Sequence, residues 1–237
     1  MKAAKLTSPN QIEIFDEPFR QTPGPEQVVV QVKAVGICGT DLHIFRGERN
    51  DVALPRVMGH ELSGIVIQPG EKVSHLKKGD YVVFDPVVSC GTCKTCRSGH
   101  ENVCADVKCF GVQMDGGFQE YIVVDAKNLY KFSKNISFQE AALAEPFSVA
   151  ANILSRTQAE EKDNIVIIGA GTIGLAILQA AKALGAKVLI SDIEDKKLEI
   201  AKKFGADLIV NSKAKNLAAE VDSFSPGGAD IVIDAVG

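Results

Sequence analysis

Residues 164–174, NIVIIGAGTIG, constrain what this chain can fold into more than any other stretch. Residues 164–168 are a short, apolar, β-branched run with the length of a buried strand. Gly169, Gly171 and Gly174 follow in the spacing G-x-G-x-x-G, and residues 175–184 read as helix. A strand, a tight glycine turn and a helix start, in that order, make a cradle for a pyrophosphate. The first glycine allows the turn, the second lets backbone approach phosphate, and the third lets the helix pack on the strand. Unpaired N–H groups at the helix start, around Thr172, Ile173 and Gly174, supply donors and partial positive charge. The glycine spacing alone is a weak signal; its place between strand and helix makes it a strong one.

At 237 residues and 46% hydrophobic, the chain can fill one large core or two modest ones. A formal charge of -4 with mixed signs argues against a nucleic-acid surface. The first 20 residues lack the apolar centre of a signal peptide, and no run approaches the ~18 apolar residues of a membrane span. The expectation is a soluble, cytoplasmic protein. Four of the six cysteines crowd into residues 90–104, which in a reducing compartment reads as metal binding.

From residue 1 to about 88 the pattern is of strands: 3–6, 11–15, 27–35, 62–67 and 80–84, separated by Pro- and Gly-rich turns. Two interruptions stand out, GICGTDLH at 36–43 and GHE at 59–61. Cys38, His60 and Glu61 offer a thiolate, an imidazole and a carboxylate, all zinc-ligand types. Read singly they are ordinary: a lone Cys is usually a small buried hydrophobe, and a lone His a hydrogen-bonded or surface residue. No local spacing links them. His75 and His100 have polar neighbours and read as surface residues.

Cys90, Cys93, Cys96 and Cys104 are spaced C-x2-C-x2-C-x7-C. Three sulfurs at intervals of three share a tight loop, and the fourth closes a tetrahedron. Four cysteine ligands leave no open position, so the role is to hold a loop that lacks its own core. The rival is an iron–sulfur cluster, but the bacterial ferredoxin run continues C-x3-C-P, whereas Ala105 follows a seven-residue gap here. Cys109 is left over as a free thiol.

Residues 116–124 and 129–132 read as two more strands, and 138–156 as a helix that Pro146 should kink or restart. Glu145 stands among Ala144, Pro146 and Phe147, where burial is costly unless it meets a cation or donor; a helix-end surface Glu is the plainer alternative. The polar stretch 157–163 divides a first domain, 1–156, from a second, 157–237. Residues 187–191 form the second strand after the glycine turn, ending at Asp192, 23 residues beyond Gly169. An acid there accepts from adenosine ribose hydroxyls and repels a 2′-phosphate, which favours NAD over NADP. Alternation continues through a helix at 196–204, a strand at 206–210, a helix at 214–221 and a strand at 230–236.

With these residues assembled, the chain resembles the medium-chain zinc-dependent alcohol and polyol dehydrogenases. GICGTDLH, GHE, the cysteine lobe, AEPFSV at 144–149 and GAGTIG at 169–174 carry the resemblance, in the family's order. It implies an α/β protein: a β-rich GroES-like catalytic domain, then a partial Rossmann doubly wound parallel sheet, with a catalytic zinc in the cleft between them. It also implies that Cys38 and His60 share that zinc. A second cysteine ligand of the simple alcohol dehydrogenases would fall at Val149, so the resemblance is rather to the sorbitol, galactitol-phosphate and threonine dehydrogenase branch. One thiolate and one carboxylate bring a Zn²⁺ site to neutrality and a second carboxylate would blunt it, so Glu61 and Glu145 are expected to alternate as ligand. By the same resemblance Thr40 and His43 move the proton; Thr40 also stands where a helix N-cap would. A protein that is a homo-oligomer when full length, acting on a small-molecule secondary alcohol, is implied: a polyol, a sugar alcohol or a hydroxy-amino acid. Relatives run on past the fourth Rossmann strand, which points to a truncated chain. The two readings are an NAD-dependent oxidoreductase and a non-catalytic zinc- and nucleotide-binding remnant.

Overall fold

The computed structural model describes residues 1–16, 18–19 and 22–236. Two compact units divide between Glu145 and Pro146.

The first unit is β-rich. Strands β1 (Lys2–Ser8), β2 (Gln11–Asp16) and β4 (Arg56–Val57) form a small antiparallel sheet in the order β2-β1-β4. A larger antiparallel sheet has the order β10-β6-β5-β3-β9, from β3 (Gln27–Val35), β5 (Leu62–Pro69), β6 (Tyr81–Phe84), β9 (Tyr121–Asp125) and β10 (Leu129–Lys131). Val28, Val30, Leu62, Val66, Val82 and Val124 form its core. Helix α1 (Gly39–Phe45) follows β3, while β7 (Val87–Val88), α2 (Lys94–Arg97) and β8 (Lys108–Cys109) frame the cysteine lobe. The strand expected at 116–124 begins only at Tyr121, because Gly116 and Gly117 turn against the backbone of Val57 and Gly59.

Helix α3 (Phe138–Ala142) starts at a capping box: Ser137 Oγ accepts from Glu140 N–H, and Glu140 Oε2 accepts from Ser137 N–H at 2.8 Å. The chain then breaks at Leu143 rather than at Pro146. Pro146 lies in the first turn of α4 (Ala144–Thr157), where its missing N–H has no intrahelical partner to lose.

The second unit is a four-stranded parallel sheet in the order β13-β12-β11-β14, from β11 (Asn164–Ile168), β12 (Lys187–Asp192), β13 (Leu208–Asn211) and β14 (Ile231–Asp234). Helices α5 (Thr172–Leu184), α6 (Asp195–Lys203) and α7 (Leu217–Phe224) connect the strands. Period-two alternation sends Ile165, Ile167, Val188 and Ile190 to one face, and Val166, Leu189 and Val210 to the other. Burial on both faces explains the nearly continuous apolar strands. Ala150 and Leu154 of α4 join the first of these cores. The compact units therefore divide ahead of the polar stretch 157–163: apolar packing places the division, not the polarity of the connection.

Asp207 locks the β12–β13 pair. Its Oδ2 accepts from Val188 N–H and from Lys182 Nζ, both at 2.7 Å. Burial pushes this carboxyl up, but those donors win and hold it below the usual range. Its stabilisation is therefore present above the ordinary aspartate pKa and is lost as pH falls through the lower, folded-state value. Asp207→Ala should cost about 1 kcal/mol at pH 7, discounted for its partial exposure. In urea unfolding, the gap between the two proteins should close in acid.

Candidate metal centres and nucleotide turn

A single buried carboxylate ties together two loops that the β3–β5 pair sets side by side. Asp41, 2% exposed, accepts from Cys38 N–H at 2.8 Å through Oδ2 and from Gly59 N–H at 3.1 Å through Oδ1. Cys38 and His60, 22 positions apart in sequence, are held in one place with Glu61 by that carboxylate and by Gly36 N–H donating to Glu61 C=O at 2.7 Å. Glycine is required at two of these positions. A Cβ on Gly36 would meet the Glu61 carboxylate at 2.0 Å; Gly59 has φ +91° and abuts Phe118 and Val35. The outcome is one ligand atom each from Cys38, His60 and Glu61, all within 4.8 Å of one another.

This donor set is not a self-sufficient core. His60 is 7% exposed, yet its Nδ1 has no hydrogen-bond partner among the described residues and lies 3.9 Å from Asp41 Oδ1. The His60 side chain lowers the Cys38 pKa against burial, helped by the Thr40 N–H and hydroxyl. At His60 burial opposes the charged ring, but Cys38, Asp41 and Glu145 together raise its pKa. Each group thus favours the charged form of the other, and a metal ion would take the place of the imidazole proton. Burial raises Glu61, with Asp41 adding to it and His60 opposing. A soft thiolate, an imidazole and a carboxylate fit zinc in both ligand type and number, and leave a position open.

Glu145 lies outside the three-residue cluster but within its field. Burial raises its pKa, His60 opposes, and Glu61 and Asp85 add to the rise. Thr40 sits beside the Cys38 sulfur inside α1; the N-cap is Cys38 itself, closed by Asp41 three residues on. The helix-cap reading of Thr40 is thereby corrected. His43, at the far end of α1, is exposed and pairs with Glu48. Asp41 was missed as a sequence signal, although an acid three residues after a strand-to-helix break is half of a capping box.

The four-cysteine lobe is equally compact. Sulfur pairs Cys93–Cys96, Cys93–Cys104 and Cys90–Cys96 lie 3.3, 3.9 and 4.0 Å apart, and all four sulfurs fall within 4.8 Å. Tetrahedral zinc–sulfur bonds place sulfurs about 3.8 Å apart; a disulfide would need about 2 Å. The Thr95 hydroxyl leads several donors in bringing Cys93 down to about 5, while burial and its neighbours push Cys96 up to about 12. Four thiols around one shared point fit a single ion. His75 and His100 bond to Ala126 C=O and Ser98 Oγ and join neither centre.

In the second unit, no side chain caps α5 at Gly171. A Cβ on Gly171 would meet nothing within 4 Å, so the space before the helix start is open to a ligand. Gly174 is packed so tightly that a Cβ would sit 1.9 Å from Gly169 C=O. Asp192 ends β12 and accepts from Ala170 N–H at 2.8 Å and Glu194 N–H at 3.0 Å. Burial works against its charge, but these donors and Lys197 keep its pKa low. Asp192, Glu194, Lys197, Ser212 and Gly169 line a cleft of about 190 Å³. Lys197 is tied to Glu194 at 2.8 Å, which offsets its charge.

Comparison with known proteins agrees with both halves. Residues 24–134 match the family described as alcohol dehydrogenase GroES-like domain, and 172–237 match zinc-binding dehydrogenase. Sorbitol dehydrogenase of Bacillus subtilis is 35% identical over 100% of this chain and 69% of its own length. The chain belongs to the zinc-binding alcohol dehydrogenase family. Another relative is the starvation-sensing protein RspB of Escherichia coli K12, 42% identical over 90% of this chain. The chain spans 63% of that relative, less than two thirds of its length. A solved RspB structure from Escherichia coli CFT073, in complex with NADH, is 40% identical with a TM-score of 0.91, covering 100% of this chain and 69% of that one. The fold is the α/β architecture of this family, with the GroES-like unit first. No helix among the described residues is long and apolar enough to cross a membrane.

Replacing Asp41 tests the clamp directly. Asp41→Ala strands one buried and one half-buried backbone donor and should lower stability by about 2–3 kcal/mol. Asp41→Asn, which retains an accepting oxygen, should lose less. Chemical denaturation of the metal-free chain measures both.

Proposed function

We propose that this chain is the zinc- and NAD-binding part of an oxidoreductase that moves a hydride between a secondary alcohol and NAD. The observation that carries the reading is the Cys38, His60 and Glu61 donor set gathered within 4.8 Å. Cys38, His60 and one of Glu61 and Glu145 would hold a catalytic zinc, and Cys90, Cys93, Cys96 and Cys104 a structural one. Bound zinc supplies a Lewis acid that stabilises negative charge on a substrate oxygen, and NAD supplies the two-electron acceptor.

The remaining roles belong to the chain. Gly36 and Asp41 hold the thiolate and the carboxylate in place. The Thr40 hydroxyl, beside the Cys38 sulfur, is the first group on a path for the displaced proton, and His43 is the second. Glu61 is the carboxylate nearer the thiolate, so it is the ligand in the resting arrangement, with Glu145 its alternate. The glycine turn and the bare start of α5, with N–H groups at Thr172, Ile173 and Gly174, receive the pyrophosphate. Asp192 receives the ribose hydroxyls, its charge fixed by two backbone donors, and disfavours a 2′-phosphate.

Carboxylates around the zinc site favour substrates with a second polar group: polyols, sugar alcohols or hydroxy-amino acids. Six unpaired cysteines suit the reducing cytoplasm. The family resemblance further suggests that the full-length protein is a homo-oligomer.

Metal analysis should find two zinc ions per chain, falling to one in the Cys38→Ser, His60→Ala double variant. Calorimetry should show Asp192→Ala weakening NAD about tenfold while strengthening NADP, the loss of a ribose hydrogen bond to a charged group being about 1.5 kcal/mol. NADH formation from a panel of polyols and hydroxy-amino acids completes the test. A wild-type chain that keeps only the zinc of the cysteine lobe would refute the catalytic reading.

A further inference from the structure

The turn that closes α1 holds a side-chain pair five residues beyond Cys38. His43 Nδ1 and Glu48 Oε2 lie 2.5 Å apart. The backbone reinforces the pair, since Glu48 N–H donates to His43 C=O at 2.9 Å. Gly47 makes the turn with φ +74°, packed so that a Cβ would come within 2.9 Å of Pro9. Asn10 N–H donates to Phe45 C=O at 2.7 Å and pins the same turn from the β1–β2 hairpin. The hairpin residues that meet the turn, Pro9 and Asn10, bring no charge. Of the arginines in the turn, Arg49 is held by Asp51 and Arg46 is exposed.

A carboxylate only accepts, so Nδ1 must carry the hydrogen in this contact. The other ring nitrogen then has a lone pair, whereas a free neutral imidazole in water prefers its hydrogen on Nε2. We propose that Glu48 is a positioning residue that holds His43 as the Nδ1–H tautomer, leaving Nε2 as the acceptor for a proton leaving a substrate hydroxyl. In that transfer the substrate O–H bond breaks, an N–H bond forms at Nε2, and the imidazolium later returns the proton to water. His43 stands five residues beyond Cys38, about 7 Å along the helix axis, so the Thr40 hydroxyl bridges part of the way. The acceptor role rests on the dehydrogenase reading; the tautomer does not.

Long-range ¹H–¹⁵N correlation spectra of the full chain, at a pH where the ring is neutral, read the tautomer directly. His43→Gln identifies the signal. Wild type should show Nδ1–H, Glu48→Ala should revert to Nε2–H, and Glu48→Asp should restore the wild-type pattern. The same tautomer in wild type and Glu48→Ala overturns the proposal. In the zinc-loaded protein, Glu48→Ala should lower kcat about ten- to a hundredfold with KM unchanged, the usual scale for losing a group that orients a functional histidine. Glu48→Asp should recover part of that. A changed tautomer with an unchanged kcat overturns the acceptor role. No NADH formation by wild type from any alcohol overturns the dehydrogenase reading and that role with it, while the tautomer result stands by itself.

Discussion

The arrangement of the first unit depends on one carboxylate with two backbone donors. Asp41 reaches back to Cys38 N–H and across to Gly59 N–H, joining the end of β3 to the loop before β5. Pairing of Val35 with Leu62 and the packing of Ile44 against Met58 bring the two loops side by side, and the carboxylate fixes how their backbones meet. Without the clamp, a metal ion would have to supply the remaining order of the two loops, at part of the entropic cost of fixing them. With it, the donor set is organised before any ion arrives, which is how an outer carboxylate contributes to a metal site. Because Asp41 is buried and accepts both bonds, its charge also favours a protonated His60 in the metal-free chain.

Glycine decides how closely these parts approach. At Gly36 and at Gly174 the space a Cβ would occupy is already filled, by the Glu61 carboxylate and by Gly169 C=O. At Gly171 it is empty. The first two allow the protein to pack against itself; the third leaves room for something that is not protein. Identical residues therefore serve opposite ends, and only the surroundings of each tell them apart.

Much of this was legible in the sequence, and unevenly. The parallel sheet was plain because its strands are buried on both faces and its turn has fixed spacing. The cysteine lobe was plain because its ligands are local. Cys38, His60 and Glu61 were not connected by spacing at all; only the order of motifs along the chain, through a family resemblance, joined them. Asp41 stayed hidden because its work is done on backbone N–H groups, and a donor 18 residues away leaves no pattern in a string of letters. Pro146 misled for a related reason: proline breaks a helix interior but sits easily in a first turn, and where the turn begins was fixed by Leu143, which ends α3.

The second unit meets a different electrostatic problem from the first. There the chain must gather several anions and keep them close until a cation neutralises them. Around the glycine turn it must keep one anion, Asp192, beside a helix start whose partial charge invites another. The two are kept apart in function by their hydrogen bonds. Asp192 draws on Ala170 and Glu194 N–H, so its charge is anchored at the end of β12 rather than drawn onto the first N–H groups of α5. Those groups stay available for a phosphate, while the carboxylate retains lone pairs for neutral hydroxyl donors. A ligand that carries phosphate at one end and hydroxyls at the other satisfies both. A second phosphate on the hydroxyl end would face a fixed negative charge whose nearest lysine is already taken by Glu194.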